Sequence, residues 1–153
     1  MPIKAVDLTR TKRFISQYDD ASEEGKATVW LLGTLSSRDV GRIRDSVTSI
    51  KLNTAEGSDP NEVETHIERT KMNFEAVRVG LKGWENFIGP DGNSIPFKTI
   101  KRDVGGTRRD VVSDELLDMI PLDVVKELAD EILQGNLLSE EEAGNSPAPS
   151  TDA

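Results

Sequence analysis

Hydrophobic and polar positions change period several times along the chain. Lys12–Tyr18 alternates, with Phe14, Ser16 and Tyr18 on one face and Arg13, Ile15 and Gln17 on the other. That predicts a half-exposed strand. After the polar stretch Asp19–Gly25, Ala27–Leu35 is apolar nearly throughout and β-branched at its start. It predicts a second strand, paired with the first in an antiparallel hairpin, with Trp30 as a core residue. Met1–Thr11 shows no period and reads as a loose lead-in.

The period then changes to that of a helix. Ser36, with Asp39 three residues on, forms a capping-box pattern that opens a short helix. Val40, Ile43, Val47 and Ile50 share one face of it. Arg38, Arg42 and Arg44 lie on or near the other face, as a solvated side or as a site for a carboxylate-rich partner. Thr54–Ser58 is a polar linker, and Asp59-Pro60-Asn61-Glu62 is a second helix start. From there Val63, Ile67, Thr70, Phe74, Val77, Leu81 and Trp84 follow at spacings of four and three, a stripe predicting one long helix that ends near Phe87. Such a stripe is core, or an oligomer seam where it is exposed.

Ile88–Phe97 is dense in turn residues, with Asp91-Gly92 as the tight turn and Ile95 and Phe97 bringing the chain back to the core. Lys98–Arg109 holds five cations and a Gly-Gly pair without apolar periodicity, so it reads as a flexible basic loop. Ser113 caps a helix over Asp114–Ile120, and Pro121 starts the next. Val124, Val125, Leu128, Ala129 and Ile132 form its apolar face, and Gly135 closes it. Together these elements predict a single α+β domain over residues 12–135, helix-dominated, with an N-terminal antiparallel β-hairpin, a long central helix and a C-terminal helical pair. Residues 1–11 are the lead-in, and 136–153 an acidic, largely disordered tail.

Composition narrows the chemistry. The 153 residues are 35% hydrophobic, 5% aromatic and 31% charged, enough for one domain of ordinary size. The absence of cysteine removes disulfides, thiolate metal sites and a cysteine nucleophile. The single histidine, His66, excludes a multi-histidine metal centre. No apolar run reaches the roughly 20 residues that span a membrane, and the N-terminus does not read as a signal peptide, so a soluble intracellular protein is expected. Net charge is −9, unevenly spread: residues 1–109 carry 18 basic and 16 acidic side chains, whereas residues 110–153 carry Lys126 against 12 acids. The acidic end is a solvated surface or a face that docks on a basic partner, and it disfavours nucleic acid. The basic loop can touch phosphates or pair with the acidic C-terminal helix. It lacks aromatics to stack bases.

No catalytic pattern is present: neither a phosphate-binding Gly-x-x-x-x-Gly-Lys loop, a dinucleotide Gly-x-Gly-x-x-Gly, nor a Gly-x-Ser-x-Gly elbow occurs. The expectation is therefore no enzyme, no catalytic residue, no cofactor and no metal.

Gly80-Leu81-Lys82-Gly83-Trp84-Glu85-Asn86-Phe87-Ile88-Gly89-Pro90-Asp91-Gly92-Asn93-Ser94-Ile95-Pro96-Phe97 resembles a pattern of tail assembly chaperones of long-tailed bacteriophages. In that family a helix runs into a tryptophan-containing turn, an Asp-Gly turn and a return ending Pro-Phe, followed by leucine-rich helices and a polar tail. Leu116–Ile120, Val124–Leu133 and Leu137–Ser146 match that order, so the resemblance covers roughly residues 78–146. It implies a non-catalytic protein in the cytoplasm of an infected bacterium, binding tail proteins, the tape-measure protein first, during virion morphogenesis. The alternative is a structural protein of the head–tail connector or tail, retained in the virion and self-associating. The expected partner-binding residues are Phe74, Val77, Leu81, Trp84 and Phe87 for a helix in a groove, with Arg108 and Arg109 in the basic loop.

Overall fold

The computed structural model describes residues 2–21, 25–53 and 61–137, with the backbone alone described at 46–53 and 61–68. The expected linker at Thr54–Ser58, the Asp59-Pro60 start, the side chain of His66 and the tail from 138 onward lie outside the described residues.

The fold is α+β. In chain order its elements are β1 (Thr11–Phe14), β2 (Val29–Gly33), α1 (Ser37–Asn53), α2 (Asn61–Gly80), β3 (Leu81–Glu85), β4 (Thr99–Val104), β5 (Thr107–Val112), α3 (Asp114–Leu117) and α4 (Leu122–Gln134). The expected N-terminal hairpin is present: β1 pairs antiparallel with β2, setting Phe14 opposite Trp30. β1 is shorter than the alternation suggested. After Phe14 the chain turns toward α4, where the buried Ser16 hydroxyl and the Gln17 amide both donate to the Glu127 carboxylate.

The long central helix stops at Gly80 rather than near Phe87. Residues Leu81–Glu85 extend the hairpin into a three-stranded antiparallel sheet of order β1-β2-β3. Two features end the helix there. Gly80 lies against α4 so closely that a Cβ would sit 2.5 Å from Ile132 Cγ2. Beyond it burial alternates, with Leu81 and Gly83 buried and Lys82 exposed between them. The register steps from Leu31 opposite Gly83 to Leu32 opposite Leu81, leaving Lys82 as the extra residue of a bulge. Asn86 ends the strand at φ 59°, its side chain donating to the carbonyls of Gly25 and Ala27. Asparagine tolerates that left-handed conformation better than most residues.

The second correction concerns Lys98–Arg109. Most of this segment is a hairpin, β4 with β5, closed by Gly105 and Gly106 at φ +60° and +85°. Two consecutive positive φ values suit a twisted two-residue hairpin turn, and glycine adopts them without steric cost. Lys101 pairs across the hairpin with Asp110 at 2.9 Å, and Arg108 with Asp103 at 3.4 Å. The strand signal was masked because only Val104, Val111 and Val112 are buried, all near the ends of the two strands.

The remaining expectations hold more closely. Ser113 caps α3 by accepting from the Leu116 amide, and α3 is a single turn before Pro121 leads into α4. Val124, Val125, Leu128, Ala129 and Ile132 are all buried, and Gly135 is the C-cap. Gly92 takes φ +83° in the Asp91-Gly92 turn, and Ile95 and Phe97 pack against the core. The core lies where α2 packs on α4 and α1 and where β5 meets α2 and β3.

Candidate functional site

Four aromatic side chains come from three places in the sequence. Trp30 lies at the centre of the sheet, Trp84 opposite it on β3, Phe87 just beyond, and Phe97 at the end of the return. Ring centroids of Trp84 stand 5.8 Å from Trp30, 4.9 Å from Phe87 and 4.9 Å from Phe97, all edge to face. Trp30 and Phe87 are 5.0 Å apart. Such pairs contribute roughly 0.5–1.5 kcal/mol each beyond the area they bury. The Trp84 indole N–H donates to the Ile95 carbonyl at 2.6 Å, tying the Asp91-Gly92 turn to the sheet.

One side of this cluster is open. Trp30 and Phe87, with Tyr18, Thr28, Pro121 and Val124, line a groove of about 350 Å³ between the β1–β2 connection and the start of α4. Tyr18 on its wall is 57% exposed. Large apolar side chains next in sequence to lining residues are also exposed, Ile88 beside Phe87 and Leu122 beside Pro121. An exposed aromatic side chain on the wall of an apolar groove, as Tyr18 is here, is a mark of a surface that another chain covers. The acids Asp19 and Asp123 sit at its edge, and Asp19 accepts from the Thr28 amide at 2.7 Å.

The expected partner-binding residues divide in this fold. Val77 and Leu81, 0% and 2% exposed, are core and closed to any partner. Phe74, Trp84 and Phe87 are half-buried against that core, and Phe87 alone of them lines the groove. The helical stripe therefore turns inward over its described buried length, which is the core reading of it. Arg108 is exposed on the hairpin in its pair with Asp103. Arg109 is instead held by Asp39, with hydrogen bonds of 3.0 and 2.5 Å to the two carboxylate oxygens. Those hydrogen bonds are the main reason the Asp39 carboxyl is held below the usual aspartate range and the Arg109 guanidinium is raised above its own.

Sequence reasoning missed Tyr18, Pro121 and Val124 as groove residues, because they meet only once α4 has docked beside the sheet. Among the described residues no group of three or more histidine or acidic side chains is placed to hold a metal ion, and no helix is long and apolar enough to cross a membrane. No protein-family model, curated protein or solved structure matches the chain.

Proposed function

We propose that this protein is a non-catalytic tail assembly chaperone of a long-tailed bacteriophage, acting in the cytoplasm of the infected host and holding an apolar segment of a tail protein, the tape-measure protein first. One observation carries the reading. The segment that resembles the chaperone family, Gly80–Phe97, supplies Trp84, Phe87 and Phe97 to the aromatic cluster, and Phe87 forms a wall of the open groove. A rigid aromatic wall gives contact area at low entropic cost, which suits an incoming helix or extended strand. The net charge of −9 keeps a complex with an aggregation-prone segment in solution by mutual repulsion.

Two measurements test this. Quantitative mass spectrometry should find the chain abundant in infected-cell lysate and absent from purified virions; a fixed copy number per virion would replace the chaperone by a structural virion protein. Co-purification of the tape-measure protein should fall about tenfold, or ~1.4 kcal/mol, in Tyr18→Ser, whose side chain stands exposed on the groove wall. Undiminished co-purification would remove the groove from the interaction.

A further inference from the structure

In a chain of net charge −9, one surface has the opposite sign. A cleft of about 530 Å³ is lined by Arg38, Arg42, Lys82 and Arg109 against one carboxylate, Asp39. It shares no lining residue with the apolar groove. Each cation arrives by its own route. Arg38 and Arg42 stand four residues apart at the start of α1, so both project from one face. Arg109 comes from β5. Lys82 is the bulged residue of β3, and its stem crosses Gly33 so closely that a Cβ there would stand 2.7 Å from Lys82 Cε. Glycine at 33 is thus the room Lys82 needs.

The cations are not equally satisfied. Arg109 is bound bidentately to Asp39. Arg42 has its nearest carboxylate oxygens, on Asp39 and Glu75, at 3.9 Å each, beyond hydrogen-bond reach. Its buried Nε and Nη2 have no hydrogen-bond partner among the described residues. Those two nitrogens are closed to solvent, but the Arg42 side chain is 31% exposed, so an anion in the cleft meets the accessible part of a guanidinium that no described carboxylate hydrogen-bonds. Lys82 has its ammonium pKa lowered, by desolvation first and by the neighbouring Arg109 second. An anion placed there offsets both by favouring the charged ammonium. The N-terminus of α1, capped by Ser36 through the Asp39 amide at 3.1 Å, opens on the same cleft and adds positive potential.

The lining also selects among anions. With Arg109 engaged by Asp39, Arg38 and Arg42 present the guanidinium groups that suit a carboxylate or a phosphate. The lining includes no aromatic side chain to stack a base, and the net negative charge of the chain disfavours a long polyanion. A short peptide with closely spaced carboxylates matches the local positive excess. Its backbone finds hydroxyls in Thr34, Ser36 and Thr107. We propose that this cleft binds a short acidic peptide segment of a partner protein, two or three neighbouring Asp or Glu carboxylates meeting Arg38, Arg42 and Lys82.

The test is a ¹⁵N–¹H correlation titration of the full chain with a synthetic peptide, Gly-Ser-Glu-Glu-Glu-Ser-Gly, and with its glutamine counterpart. The acidic peptide should give saturable shifts at the amides of residues 36–42, 82 and 105–109, and the glutamine peptide none. Arg38→Gln should weaken binding about fivefold, as should Lys82→Gln. Neither side chain makes an ion pair within the fold among the described residues, so both variants should keep the parent spectrum elsewhere. Absence of shifts at these amides up to about 5 mM peptide would overturn the proposal, as would unchanged affinity in both variants. Pyrophosphate or a short single-stranded DNA acting on the same amides at lower concentration than the peptide would reassign the cleft to phosphate and overturn it equally.

Discussion

Asp39 sits in the first turn of α1, 6% exposed, with both carboxylate oxygens engaged by Arg109 from β5. Its backbone amide meanwhile donates to Ser36 Oγ, so only the Ser36 half of the expected capping box forms while the carboxylate reaches across the fold. Asp39→Asn leaves a part-buried guanidinium without its counter-charge. The expected loss at neutral pH is about 1–2 kcal/mol by urea unfolding, at the low end for a buried pair because water still reaches Arg109. Because Arg109 lowers the folded-state pKa of Asp39, the pair's contribution is complete above the unfolded-state pKa and disappears as pH falls through the folded one. The difference between parent and variant should therefore close below about pH 4. A difference that stays constant from neutral pH to pH 3 would show that charge plays no part in it.

At the scale of elements, the junction of α2 and β3 is held by Gly80 against Ile132, itself 1% exposed and unable to swing out. Gly80→Ala gains helix propensity of up to about 1 kcal/mol and meets a clash costing about 1–3 kcal/mol. We expect the clash to win, with the double variant Gly80→Ala with Ile132→Ala more stable than the sum of the two single losses, by about 1 kcal/mol or more in a double-mutant cycle. Simple additivity would show that the contact does not set the end of α2. This junction also shows what was legible in the sequence. α4 could be read because its face repeats at helical spacing and its ends carry Pro121 and Gly135. β3 could not, because Leu81 and Trp84 also continue the stripe of α2, and the bulge at Lys82 disturbs the period of two that a strand would show. β4 and β5 were hidden for a different reason: their charged side chains are balanced by cross-strand partners that a one-dimensional pattern does not reveal. Of the two surfaces, the aromatic wall was partly legible through Trp84 and Phe87, whereas the cationic cleft gathers residues from α1, β3 and β5 and was visible only as scattered arginines.

Across the whole molecule, the sequence shows a basic-leaning first part and an acidic end, and three of the described acids of that end bind earlier parts of the chain. Asp114 pairs with Arg78 and Arg102, Glu131 with Lys12, and Glu127 with Ser16 and Gln17. These partners lie 36 to 119 residues apart in sequence for Arg78–Asp114 and Lys12–Glu131. The charge asymmetry is therefore legible and its internal use is not. The arginine–carboxylate pairs of the fold also give it a pH dependence with a definite sign. Asp39, Glu85 and Asp114 all have carboxyl pKa values below the ordinary range, chiefly through hydrogen bonds from Arg109, Arg13 and Arg78 respectively. The unfolded chain then binds more protons than the folded one in the acid range, so stability rises with pH through it. Protonation also relieves the self-repulsion of a chain of net charge −9, which opposes this trend. At physiological ionic strength the screening length is about 8 Å, short enough to weaken diffuse repulsion while leaving contact pairs intact. Thermal unfolding followed by circular dichroism should therefore give a Tm that is highest near neutral pH and falls steadily from about pH 5 to pH 3. A Tm that rises toward pH 4 would mean that repulsion outweighs the arginine pairs.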